Sequence, residues 1–134
     1  MSGGLSWPGF LATELNTTLT LTYNFAVVYA TVDNAIIPAM VGGVPSISDQ
    51  VDTWTKNLAP KPSYAPWTSE NSLFAVYVGT NDVGNTYNKE DYKAQLNKSL
   101  DRLFVLLGSL YSSGARSFAL LSVPRMSSLP KECQ

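Results

Sequence analysis

From Leu73 to Val78 the chain runs Leu-Phe-Ala-Val-Tyr-Val without a polar interruption and stops at Gly79, the pattern of a strand buried on both faces. Small polar residues, Thr80, Asn81 and Asp82, follow at once. Upstream, Leu19 to Phe25 alternates strictly between apolar and polar positions, which predicts a strand with one better-buried face. The apolar run then continues through Ala26, Val27, Val28, Tyr29 and Ala30, with no glycine to turn the chain. A second largely apolar run, Ser117 to Val123, predicts another buried strand closed by Pro124.

Between these runs the period lengthens to that of helices. Pro8 to Leu15 predicts two turns, with Pro8 near the start and Phe10, Leu11 and Leu15 as an apolar stripe. Ser46 and Asp49 have the spacing of a capping box, and Ile47, Val51, Trp54 and Leu58 after them share one face. Trp54 at such a position reads as core rather than as a stacking platform for a ligand. Pro60, Pro62 and Pro66 make Ala59 to Trp67 an irregular connection. Val83 to Asn88 is a polar loop, and Asn88 is placed to cap the longest helix, with Glu90 and Asp91 in its first turn. Along that helix Tyr92, Leu96, Leu100, Leu103, Leu107 and Leu110 form the stripe, and Gly114 stands where a left-handed C-cap belongs. Strand, helix and strand in this order predict a right-handed βαβ unit and an α/β fold.

In such folds ligands bind beyond the carboxyl ends of the strands, where Thr80, Asn81 and Asp82 fall. The plainer alternative is an ordinary turn, since Gly, Asn and Asp all form turns readily. For Asp82 the plainer reading is a turn carboxylate bonding nearby backbone N–H groups.

Composition narrows the chemistry. The 134 residues, 45% hydrophobic and 14% charged with a net charge of −1, suit one domain over 1–134 and offer no basic face to nucleic acid or anionic membranes. The longest apolar runs are too short to span a bilayer, and the stretch Met1 to Pro8 lacks the build of a signal peptide. Cys133 is the single cysteine and has no internal partner for a disulfide. Most consequentially, the chain has no histidine, so it cannot supply the imidazole of a Ser-His-Asp mechanism. Missing histidine also argues against a transition-metal site, and no cofactor is expected. A serine and lysine pair, Ser63 with Lys61 or Ser128 with Lys131, is the remaining route to a nucleophile, although such neighbours are usually solvated surface.

Tyr23-Asn24-Phe25-Ala26, Ala30-Thr31-Val32-Asp33, Gly79-Thr80-Asn81-Asp82, and Gly114-Ala115-Arg116 with Val123-Pro124, in this order, cover nearly the whole chain. Together they resemble the middle of an SGNH (GDSL-type) hydrolase, and more narrowly the fungal secreted acetylesterases acting on carbohydrate acetyl groups. The resemblance implies a three-layer α/β/α flavodoxin-like fold and serine-dependent hydrolysis of small-molecule or glycan acyl esters. It implies that Asn81 donates its side-chain amide to the oxyanion, while Gly79 and Asp82 support the loop. Three departures stand beside these matches. The Gly-Asp-Ser block with the nucleophile and the closing Asp-x-x-His block are both absent. Tyr29, with Val28 before it, occupies the position of a glycine that offers a second oxyanion N–H, and a tyrosine does not easily take positive φ.

The expectation is therefore an incomplete SGNH domain, cut at both ends and inactive alone, whose sheet lacks a central strand beside Leu73 to Val78. The alternative is a non-catalytic binding module that keeps part of an acyl-sugar pocket near Asn81, Tyr87 and Tyr29.

Overall fold

The computed structural model describes residues 6–124. Its elements run α1 (Trp7–Thr13), α2 (Ile47–Asn57), β1 (Leu73–Tyr77), α3 (Thr80–Gly84), α4 (Tyr92–Ser112) and β2 (Ser117–Leu121). The two strands are parallel, with Leu73 opposite Ser117 and Tyr77 opposite Leu121. The α/β class read from the sequence is present as a two-stranded parallel sheet and four helices.

Local chemistry explains where the helices begin and end. Pro8 lies in the first turn of α1, where its missing N–H costs nothing. At α2 the capping box forms in full: the Asp49 N–H donates to Ser46 Oγ, and the Asp49 carboxylate accepts from the Ser46 N–H at 2.8 Å. These bonds hold the Asp49 carboxyl below the usual carboxylate range, the Ser46 hydroxyl contributing most. Gly114 takes φ 112° just past α4, and the Ala115 N–H reaches back to the Leu110 carbonyl at 3.1 Å.

The core is aromatic. Trp54 of α2, Leu58 at its C-terminal cap, Leu110 of α4, Ala65 and Ala115 are buried together, and Phe74 and Phe118 pack against them from the sheet. Trp54 and Phe74 meet edge to face at a centroid distance of 5.3 Å, and Trp67 meets Phe74 in the same way at 5.8 Å. Such pairs add about 0.5–1.5 kcal/mol each beyond the area they bury. Phe74 and Phe118 are register partners, so α2 and α4 cover the same face of the sheet. Trp54 is core, as its place on the helix predicted.

Four expectations are corrected. Leu19 to Phe25 is not a strand. A strand requires a ladder, and among the described residues β1 is paired only with β2. The segment is fixed by side chains instead, with Phe25 on the core and Tyr23 Oη donating to the Tyr64 carbonyl at 2.5 Å. Nor is β1 buried on both faces: Leu73 is 63% and Tyr77 52% exposed, because the helices that pack on the sheet lie on the other side. Asn88 caps no helix, since turns closed by the Lys89 and Tyr92 N–H groups intervene and α4 starts at Tyr92. Finally, the buried face of α4 consists of Ser99, Leu106 and Leu110, whereas Leu100 is 52% exposed. Among the described residues no helix is long and apolar enough to cross a membrane.

Replacing Ser46 by Ala removes the acceptor for an orphan helix N–H and should cost about 1 kcal/mol of stability. Urea unfolding followed by tryptophan fluorescence measures it.

Candidate functional site

The site begins at Gly79, which leaves β1 with φ 110° and opens α3. A methyl group here would lie 2.8 Å from Val123 Cγ2, so both the backbone conformation and the close approach of the chain beyond β2 require glycine. The turn is followed directly by α3 rather than by the loop the sequence predicted.

Asn81 and Asp82, adjacent in the first turn of α3, each grip the segment around Thr31. Asn81 Nδ2 donates to the Ala30 carbonyl at 2.9 Å. The Val32 N–H donates to Asp82 Oδ1 at 3.3 Å, and Ser99 Oγ of α4 donates to the same oxygen at 2.6 Å. The plainer reading of Asp82 is thereby revised, because its partners lie 50 and 17 residues away in sequence. From the other side, the Ile47 and Ser48 N–H groups of α2 donate to the Thr31 and Val32 carbonyls, both at 3.0 Å. An ion pair between Asp33 and Arg102, 2.9 Å long, and a bond from Arg102 to Ser48 Oγ complete the junction.

Asp82 is 1% exposed, and among the described residues its Oδ2 has no partner. Burial raises its pKa above the ordinary carboxylate value, and the bonds from Ser99 and Val32 oppose that rise only in part.

A cleft of about 340 Å³ opens beside Asn81. Its walls include Val28, Tyr29 and Tyr77, with Thr80 and Asn81 just beyond the end of β1. Thr80 Oγ1 is buried without a partner among the described residues. The Asn81 amide carries two hydrogens; one is bound to Ala30 and no other bond engages the group among the described residues. On the opposite side of Gly79, a smaller apolar cleft of about 220 Å³ lies between Val78, Val123 and the leucines Leu96, Leu100 and Leu103 of α4.

Tyr29 departs from what its side chain predicted. It adopts φ 69°, the left-handed conformation, in a turn closed by the Ala30 N–H on the Val27 carbonyl at 3.3 Å. The backbone thus keeps the shape a glycine would give, at a steric cost of about 1–2 kcal/mol. Tyr87 is 68% exposed and does not line the cleft, contrary to the pocket expected from sequence. Ser63 and Lys61 are not joined: Lys61 Nζ sits over the Trp67 ring, 4.8 Å from its centroid. Ser128, Lys131 and Cys133 lie outside the described residues. Sequence reasoning passed over Ser99, whose signal was a small polar residue placed three positions after Leu96 and four before Leu103 on the apolar stripe.

The chain is similar to two proteins that are both acetylesterases. It is 46% identical over 129 residues to the acetylesterase of Thermothelomyces thermophilus, an alignment covering 96% of this chain and 43% of that protein. It is 29% identical over 129 residues to the acetylesterase of Hypocrea jecorina, covering 90% of this chain and 36% of that protein. These similarities support an esterase family. The chain spans less than half the length of the curated relatives it matches. No protein-family model matches it, and no solved structure does.

Tyr29→Gly should stabilise the chain by about 0.5–1 kcal/mol, the relief of positive φ less the larger unfolded-state entropy of glycine. Thermal unfolding of the two proteins tests it. Asp82 gives a pH signature of definite sign. With its pKa raised in the folded state, the native protein binds the proton more tightly than the unfolded chain does. The contribution of Asp82 to stability is then greatest below the unfolded value of about 3.9, falls as pH rises from there to the raised folded value, and levels off above it, opposite in sign to that of Asp49. Urea midpoints of wild type should show this falling step, and Asp82→Asn should lack it.

Proposed function

We propose that this chain carries the oxyanion side of a serine-dependent ester hydrolase of the SGNH (GDSL) type. Its α/β core then belongs to a three-layer flavodoxin-like domain, with an origin among secreted acetylesterases. The observation that carries the proposal is Asn81, an amide at the end of a parallel strand, held by one N–H beside a cleft while the other has no partner among the described residues. The similarity to two acetylesterases supports it.

In this reading the ester is a small-molecule or glycan acetyl ester, and charge developing on its carbonyl oxygen is met by Asn81 Nδ2. A preplaced donor of this kind is worth about 10² to 10³ in rate. Gly79 makes the close turn that aims α3, and Asp82 supports the turn without touching the ester. Tyr29 stands in the glycine position, and its positive φ presents the main chain there as a glycine would. Its half-exposed ring narrows the cleft and limits the acyl group to a small one. The chain itself has no histidine, so it does not supply the imidazole that would return a proton to the leaving group. Because a nucleophile and its base act as a unit, one oxyanion donor does not sustain turnover by itself.

A second reading, a non-catalytic module that binds acetylated glycans, is favoured by the cleft being formed with no serine or cysteine among the described residues that line it. Retention on acetylated xylan that is lost in Asn81→Ala would support it, and absence of any retention would remove it.

Assayed on an acetyl ester such as 4-nitrophenyl acetate, the 134-residue chain should show no hydrolysis above a heat-treated control. Turnover that Asn81→Ala abolishes would overturn the proposed inactivity of the chain and leave the esterase assignment standing.

A further inference from the structure

We propose that Ser99 is a positioning residue for Asn81, acting through the buried Asp82 carboxylate and the segment 30–32. The proposal rests on the reading of Asn81 as the donor of the site, but the coupling it describes is independent of any ester chemistry.

The connections form a closed circuit. Ser99 Oγ donates to Asp82 Oδ1, the same oxygen accepts the Val32 N–H, and the Ala30 carbonyl two residues away receives the amide of Asn81, the neighbour of Asp82. α3 has only five residues, too few to hold an orientation alone. Its rigidity comes from α4, a 21-residue helix anchored in the interior through Leu106 and Leu110. Ser99 is the hydrogen-bonding link from that helix to Asp82, and it is 3% exposed.

The length of the bonds shows which is decisive. The Val32 bond to Asp82 is 3.3 Å, the Ser99 bond 2.6 Å. Without the hydroxyl, Asp82 keeps one long bond and two poorly matched oxygens in a buried setting, so its carboxylate is free to rotate away from Val32. Segment 30–32 then keeps its bonds to the Ile47 and Ser48 N–H groups of α2 but loses the one that ties it to Asp82 of α3, and with it the register of the Ala30 carbonyl against Asn81. That carbonyl accepts only an N–H, so it determines which end of the Asn81 amide faces it. A flipped amide would offer an oxygen where a developing negative charge requires a donor.

The test is the side-chain amide of Asn81 in ¹⁵N NMR spectra of the 134-residue chain. In wild type its two hydrogens should be inequivalent, one exchanging with solvent about tenfold more slowly than those of the exposed Asn97. Ser99→Ala should erase that protection while backbone amides of α4 and β1 stay protected, and Ser99→Thr should restore it. Leu58→Ala, which weakens the core outside α4 without touching the circuit, should leave the Asn81 protection in place at the same degree of global destabilisation. Should Ser99→Ala not fold, the near-isosteric pair Ser99→Val and Ser99→Thr makes the same comparison.

Unchanged Asn81 protection in Ser99→Ala would overturn the proposal. So would equal loss in Leu58→Ala, or a wild-type amide exchanging like that of Asn97. The esterase reading fails separately: an Asn81 amide held as described, with acetyl-ester binding indifferent to Asn81→Ala, would leave Ser99 as a positioning residue and remove only the functional assignment.

Discussion

A carboxylate taken almost wholly out of water must find hydrogen-bond donors, and Asp82 finds its donors on parts of the chain that no local force would bring together. The Val32 N–H comes from an irregular segment and the Ser99 hydroxyl from the middle of α4. Burial still raises its pKa, so the arrangement is costly, and it persists because the surrounding packing over-determines it. Segment 30–33 is simultaneously tied to the start of α2 and, through Asp33 and Arg102, to α4 again. The aromatic core beneath α2 and α4 supplies most of the apolar burial, but this polar junction determines where the end of β1 points.

That division of labour gives the candidate site its character. Asn81 is not a free side chain at a loop tip; it belongs to the junction by one N–H and to the cleft by its position. Tyr29 reaches the same cleft from a turn whose backbone is strained. Strain of this sort concentrates where a site needs a particular main-chain direction more than it needs stability. Gly79 meets an equivalent demand without strain, because it lacks the Cβ that would strike Val123.

Features encoded within a few residues were legible in the sequence. The Ser46 and Asp49 capping box, the glycine after α4, the core role of Trp54 and the parallel pairing of strands around a long helix all follow from local spacing. Features that depend on a distant neighbour were not. Leu19 to Phe25 has the alternation of a strand, but alternation describes the two faces of a strand and says nothing of whether a ladder exists beside it. The same blindness overstated the burial of Leu73, Tyr77 and Leu100: Leu73 is largely exposed, and Tyr77 and Leu100 line open clefts rather than the core. At the site, Asn81 and Asp82 stood out as residue types at a strand end, whereas Ser99 did not, since a serine within a leucine stripe looks like an interruption. The positive φ of Tyr29 was equally hidden, because side-chain identity argued against it.

The parallel pairing of β1 and β2 also sets an order of events. Parallel neighbours cannot be joined by a tight turn, and here the connection holds all of α3 and the 21 residues of α4. Until α4 has condensed and shortened that connection, the ladder must be closed against the entropy of a long flexible loop. Formation of the sheet is therefore a late step that waits on the helix. Asn81 and Asp82, placed immediately after β1, acquire their partners only once α4 has delivered Ser99 and closed the chain.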